Sequence, residues 1–160
     1  MKKLLKPFVV AVSAVLASSV MMTGSASAQK VVKCDFRGFK RLGPSGPAIV
    51  SGVPGTMTPI ALNSIQIIDK NIAKKILPQA VFARRTDTGT LEVMARLINC
   101  TDYPQEVLVR TSFLDPDQFP AEPETAWQRV FLQPKSTAVY SEMSTSMDIG
   151  YYLIEVDEGE

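Results

Sequence analysis

Histidine is absent from all 160 residues. That absence removes Ser-His-Asp and Cys-His nucleophilic catalysis, imidazole acid–base chemistry and nearly every zinc hydrolase design together. Cysteine is scarce as well, with Cys34 and Cys100 the only two. They stand too far apart for a CxxC redox motif, and no imidazole is present to deprotonate a nucleophilic thiol such as a cell-wall transpeptidase needs. Beyond residue 28 the apolar runs are only a few residues long and interrupted by charge, so no transmembrane segment is expected there.

What the chain does have begins with a leader. Lys2, Lys3 and Lys6 make a positive start, Phe8 to Leu16 is an apolar run shorter than a membrane span, and Ser25-Ala26-Ser27-Ala28 supplies the small residues of a cleavage site. Residues 1–28 are therefore expected to be a cleavable signal peptide, with the mature chain starting at Gln29 and working in the periplasm or beyond the outer membrane. Cys34 lies six residues past Ala28, so it is not a lipoprotein cysteine. Cleavage takes away three lysines and no acid, and the seventeen basic side chains fall to fourteen against sixteen acidic ones. A slightly acidic chain is a poor partner for nucleic acid. The remaining 132 residues suit one domain with a real core.

An exported chain with two cysteines permits one bridge, Cys34 to Cys100. It would contribute roughly 4 kcal/mol in the chain-entropy model. Two separate thiols fit the same spacing, and both alternatives stand at this point.

Residues 29–63 are expected to be an extended arm, because Gly43-Pro44-Ser45-Gly46-Pro47 and Gly52-Val53-Pro54-Gly55 forbid any long regular element. Val31, Val32, Ile49 and Val50 could tack that arm onto the body. Residues 64–68 have the alternating, β-branched look of a strand. Asp69 then stands as an N-cap before Ile72, Ala73, Ile76 and Leu77 at helical spacing, and Pro78 is expected to end that short helix.

A run of strands follows over residues 80–85, 90–99, 105–114, 127–132, 136–143 and 151–156. Leu91, Val93, Ala95 and Leu97 share one face of the second, with Glu92 and Arg96 on the other. Val107, Val109, Thr111 and Phe113 share one face of the third. These two strands are expected to form a hairpin, and the proline-rich, acidic stretch 115–125 to be a surface connection crossing between sheets. Short strands at such spacing predict an all-β, immunoglobulin-like antiparallel β-sandwich over residues 64–160, with one short helix and the N-terminal arm.

Candidate sites are few. Asp115, Asp117, Glu122 and Glu124 could be paired carboxylates or calcium ligands, but the segment has neither aromatic cleft walls nor the regular spacing of a calcium loop. Met143 and Met147, with Met57 and Met94, bring Cu(I) to mind, yet gap-filling methionines explain them as well. Asn99-Cys100-Thr101 is formally a glycosylation acceptor, and behind a bacterial-type leader it reads as chance. Of Trp127, Phe131, Tyr140, Tyr151 and Tyr152, three are expected in the core. Tyr151 and Tyr152 are neighbours and must point to opposite faces, so one is free for a partner. Arg84, Arg85, Arg96 and Arg110 fall on strands, where charge discourages edge pairing. Tyr151, Tyr152, Arg84 and Arg85 are the expected partner surface; no residue is assigned to catalysis, a metal or a cofactor.

Several segments, in their order along the chain, resemble the YcfL-like family of small bacterial envelope proteins: Leu62-Asn63-Ser64, Ala83-Arg84-Arg85-Thr86, Leu91-Glu92-Val93, Leu97-Ile98-Asn99-Cys100-Thr101-Asp102, Trp127-Gln128-Arg129-Val130-Phe131-Leu132 and Tyr151-Tyr152-Leu153-Ile154-Glu155-Val156. The resemblance covers roughly residues 62–160. It implies an immunoglobulin-like sandwich, an envelope location and no catalytic residues to carry over. Unlike lipoprotein members of that family, this chain has no lipobox cysteine. The function expected from all this is a non-enzymatic exported interaction or scaffold module whose partners are other envelope proteins. The alternatives are a periplasmic carrier of a metal or small ligand and an enzyme built on carboxylates alone.

Overall fold

The computed structural model describes residues 33–159; the leader expected over residues 1–28, and Val31 and Val32, lie outside the described residues. The chain runs through α1 (Phe36–Lys40), β1 (Ala48–Ile49), β2 (Thr58–Ile60), β3 (Ile65–Ile67), β4 (Ile76–Arg85), β5 (Leu91–Asn99), β6 (Gln105–Leu114), β7 (Gln128–Leu132), β8 (Thr137–Met143) and β9 (Tyr151–Glu158). One sheet has the order β2-β4-β5-β8. The other has the order β1-β9-β6-β7, with β3 also lying against β9. Pairing is antiparallel except between β3 and β9, which run parallel.

The two-residue alternation read from the sequence explains why these strands face one another. Leu91, Val93, Ala95 and Leu97 of β5 are buried, as are Val107, Val109, Thr111 and Phe113 of β6 and Tyr152, Ile154 and Val156 of β9. All but Thr111 meet in one apolar cluster joined by Ile65, Ile72, Ile76 and Tyr140. Removal of this much apolar surface from water is what holds the layers together. Among the described residues, no buried side-chain nitrogen or oxygen lacks a hydrogen-bond partner.

Three local expectations are corrected. The helix expected from Asp69 is a single 3-10 turn over Ile72–Lys74. Its N-cap position falls on Asn71 rather than Asp69; Asp69 Oδ1, two residues earlier, accepts from the amides of Asn71 at 2.7 Å and Ile72 at 2.8 Å. Ile76 and Leu77, however, pair with Asn99 and Ile98 of β5, and Pro78 lies inside β4 opposite Leu97, where a register shift before Ala80 accommodates its missing N–H. Apolar residues spaced four apart serve a turn followed by a strand as well as they serve a helix.

Nor do β5 and β6 form a hairpin. They lie in different sheets, and residues 100–104 carry the chain across the sandwich, because two inward-facing alternations can meet through the core as readily as side by side. Residues 115–125, by contrast, do not cross. They return the chain to the same sheet, where β7 pairs antiparallel with β6. After β7 the chain crosses in the shorter links on either side of β8. The second ends at Gly150, where a Cβ would stand 2.6 Å from the Pro116 Cα.

The Pro/Gly-rich stretch lies along both sheets. Within it β1 pairs with β9 and β2 with β4. Val50 of this stretch is buried while Ile49 remains 65% exposed. Cys34 is joined to Cys100 by a disulfide, with Cα atoms 6.0 Å apart, which ties α1 to the end of β5.

Candidate interaction surface

Every second residue of β6 and β9 points away from the core, and together these make the outer face of the five-stranded sheet. Arg110 sits at its centre. Its Nε donates to Glu155 Oε2 at 2.7 Å, its Nη1 pairs with Glu124, and its guanidinium lies over the Trp127 ring, 4.5 Å from the centroid. Register explains the first contact, since Arg110 stands opposite Glu155. The loop ahead of β7 supplies the other two. A cation stacked on an aromatic face and held by two carboxylates has few rotamers left to lose on binding.

Around this centre the face carries apolar groups open to solvent. Phe131 is 64% exposed and Trp127 37%. Phe131 stands opposite Glu106, which pairs with Arg129 at 2.5 Å. At the other end Ile49, Tyr151 and Leu114 form one row across β1, β9 and β6. Arginine and aromatic residues of this kind are enriched at protein interfaces and at their energetic centres.

The residues expected to form a partner surface are dispersed. Tyr151 is half-buried on the outer face just described. Tyr152 is corrected to a core residue: it is fully buried, its hydroxyl 3.5 Å from Ser64 Oγ, and burial pushes its phenol up to about 12. Arg84 and Arg85 belong to the other sheet. They line a hollow of about 140 Å³ with Gly55, Thr86 and Asp87, but Arg84 is paired with Glu92 at 2.6 Å, and Arg85 donates to the carbonyls of Gly89, Met147 and Ile149. Arg85 is thus a clamp on the link before β9. Two of the five aromatic residues, Tyr140 and Tyr152, are fully buried, rather than three; the phenol of Tyr140 is also raised, by burial above all.

The acidic stretch works locally. Asp115 Oδ1 accepts from the amides of Asp117 and Phe119, both at 2.9 Å, Glu122 accepts from Thr145 and Ser146, and Glu124 holds Arg110. Among the described residues, no group of three or more potential metal-ligating acids and cysteines comes together. Met143 and Met147 are exposed. Asn99 of the sequon is fully buried; its Nδ2 donates to the carbonyls of Tyr103, Leu132 and Gln133, and its Oδ1 accepts from the Thr101 amide and hydroxyl. That nitrogen is structural.

In the sequence Arg110 reads as a strand residue and Trp127 as one of the body aromatics, with nothing to join them. No sequence signal links residues whose meeting depends on where the loop after β6 returns.

A separate cavity of about 260 Å³ lies between α1 and the start of β4, lined mainly by Phe39, Leu42, Leu62, Leu77, Pro78 and Ile98.

No family model matches the chain, and no curated protein does. Among solved structures it is similar to cj0090 of Campylobacter jejuni, with a TM-score of 0.50 at 15% identity over 60% of this chain and 98% of that one. It is also similar to a DUF1425 family member from Shewanella sp. pv-4, with a TM-score of 0.44 at 14% identity over 72% of this chain and 98% of the other. At such identity the first likeness establishes shared architecture alone: this chain is an all-β protein of two facing sheets, built like the Campylobacter jejuni protein.

Proposed function

We propose that the protein is a non-enzymatic, exported interaction module of the bacterial cell envelope, and that the outer face of the five-stranded sheet docks another envelope protein. The observation that carries this is Arg110, fixed over Trp127 between Glu155 and Glu124 amid exposed Phe131 and half-buried Tyr151. Such a centre is preorganised for contact. Export is supported by the leader-like residues 1–28 and by the Cys34–Cys100 bridge, since disulfides persist in oxidising compartments. Kinship with the YcfL-like proteins is supported by the order of shared segments along the chain.

The test is site-specific photocrosslinking in cells, with the crosslinker at Phe131 or Tyr151 and, as control, at exposed Arg96 on the other sheet. Capture of one reproducible envelope protein from the first two positions, lost in Arg110→Ala, is the expected result. No capture from a folded, exported protein overturns the proposal, as does capture that ignores Arg110→Ala.

A second reading, carriage of a small apolar ligand, draws on the cavity beneath α1. Its 260 Å³ lies just below the usual range for ligand sites. Native mass spectrometry of protein taken from its own compartment decides it: a stoichiometric added mass supports a carrier, and bare protein ends the idea.

A further inference from the structure

β5 turns Leu91, Val93, Ala95 and Leu97 into the sandwich, so Ile98, the next residue, faces out of the four-stranded sheet. It is nevertheless fully buried. Leu77 stands opposite it on β4, is also buried, and like Ile98 lies outside the core cluster. Residues 33–42 cover this pair from outside, yet α1 has no buried residue of its own and Leu42 is 48% exposed. The cavity of about 260 Å³ between these layers is therefore apolar on both walls. Apolar atoms that face a void forfeit dispersion contacts, which an inserted chain restores. An apolar cavity of roughly 150 Å³ holds benzene, so this one has room for an alkyl chain of roughly eight to ten carbons.

Charge around the cavity is of mostly one sign. Lys33, Asp35 and Gln79 are the lining residues with polar side chains. Between residues 33 and 42, Asp35 is the single acid against Lys33, Arg37, Lys40 and Arg41, and its Oδ1 already accepts from the Gly38 amide at 2.9 Å. The Cys100 amide donates to the Lys75 carbonyl, which brings Lys74 and Lys75 beside the Cys34–Cys100 bridge. Among the described residues, none of these six cations is in an ion pair. In a chain that is slightly acidic beyond residue 28, such a segregation of positive charge beside an apolar cavity favours an anion.

We infer that the cavity binds a single-chain anionic amphiphile, its alkyl chain between α1 and the Leu77–Ile98 pair and its carboxylate or phosphate head at the Lys33 ammonium. The Lys33 ammonium offers three donors to such a head. Asp35 on the same rim opposes an anion, and the surrounding cations outweigh it. The inference rests on the carrier reading of this cavity and adds the charge and shape of the ligand.

The experiment titrates the purified, disulfide-bonded mature protein with octanoate, octyl phosphate and 1-octanol, following the amide signals of Leu77, Gln79 and Ile98 by two-dimensional NMR. It is repeated for Lys33→Gln and Leu42→Asp, whose signals from the rest of the chain report folding. All three compounds should shift those signals, with at least one anion binding tenfold or more tighter than 1-octanol; the tighter anion identifies the head. Lys33→Gln should abolish that advantage and leave 1-octanol binding unchanged. Leu42→Asp, which puts a carboxylate on the cavity wall, should weaken the anions at least tenfold. If 1-octanol binds as tightly as both anions, or the anions' advantage withstands either folded variant, the inference is overturned and the carrier reading stands. If none of the three compounds shifts these signals, both are overturned.

Discussion

The hydroxyls of Tyr140 on β8 and Thr111 on β6 share a hydrogen bond of 2.9 Å across the core of the sandwich. Each belongs to a different sheet and both residues are fully buried. A polar link in an apolar interior fixes how the layers sit, since sliding one past the other would strand two hydroxyls away from water.

Tyr140→Phe therefore should cost about 1–2 kcal/mol, because it leaves the Thr111 hydroxyl with a lost partner. Adding Thr111→Val should recover part of that loss, as removing both partners is cheaper than removing one. Urea unfolding of the two single variants and the double variant measures the coupling; strict additivity would mean the bond contributes nothing.

Alkaline pH should weaken the fold through Tyr152. Burial raises its phenol from 10.0 to about 12, so between those values the unfolded chain releases a proton that the folded chain keeps. Stability is then fully present below pH 10 and falls as pH rises, by at most roughly 1.4 kcal/mol per unit from this group. Tyr140, shifted in the same direction by burial, adds to the decline. Unfolding curves taken across this range should show a shallower fall in Tyr152→Phe.

The Cys34–Cys100 bridge closes a loop of 66 residues, for which the chain-entropy model gives about 4 kcal/mol. Replacing both cysteines with serine should lower the urea midpoint accordingly and leave the sheets intact by circular dichroism. An unchanged midpoint would mean that the segment from Cys34 to β1 is held by its other contacts.

Asn99 gathers the end of β5, the 100–104 link and the end of β7 through five hydrogen bonds. Asn99→Ala should cost about 3 kcal/mol, since it deprives buried carbonyls of their donor. Asn99→Asp should be at least as damaging despite its similar size, because a carboxylate would face three carbonyl oxygens. Thermal unfolding compares them, and a neutral Asn99→Asp would show that water can replace the amide.

By itself the sequence determined which side chains are buried along β5 and β6. Alternation of apolar and polar residues fixes the two faces of a strand wherever it ends up, and the all-β class followed from it. It did not determine which strand lies beside which. The same inward faces on β5 and β6 would suit a hairpin or opposed sheets, and the length of the 115–125 loop says nothing about which sheet receives it. Ile72, Ala73, Ile76 and Leu77 misled for a related reason: a spacing of four is shared by a helix and by a 3-10 turn leading into a strand, and pairing with β5 decided between them. Two cysteines permitted a bridge, but only the path of the chain from α1 to the end of β5 brings Cys34 to Cys100. Arg110, Trp127, Glu124 and Glu155 were each visible as residues, while their meeting depended on β9 lying next to β6 and on the loop after β6 turning back to the same sheet. Tertiary structure decided these things because contacts between distant segments are set by how whole layers pack, and a local pattern encodes only which way each residue faces.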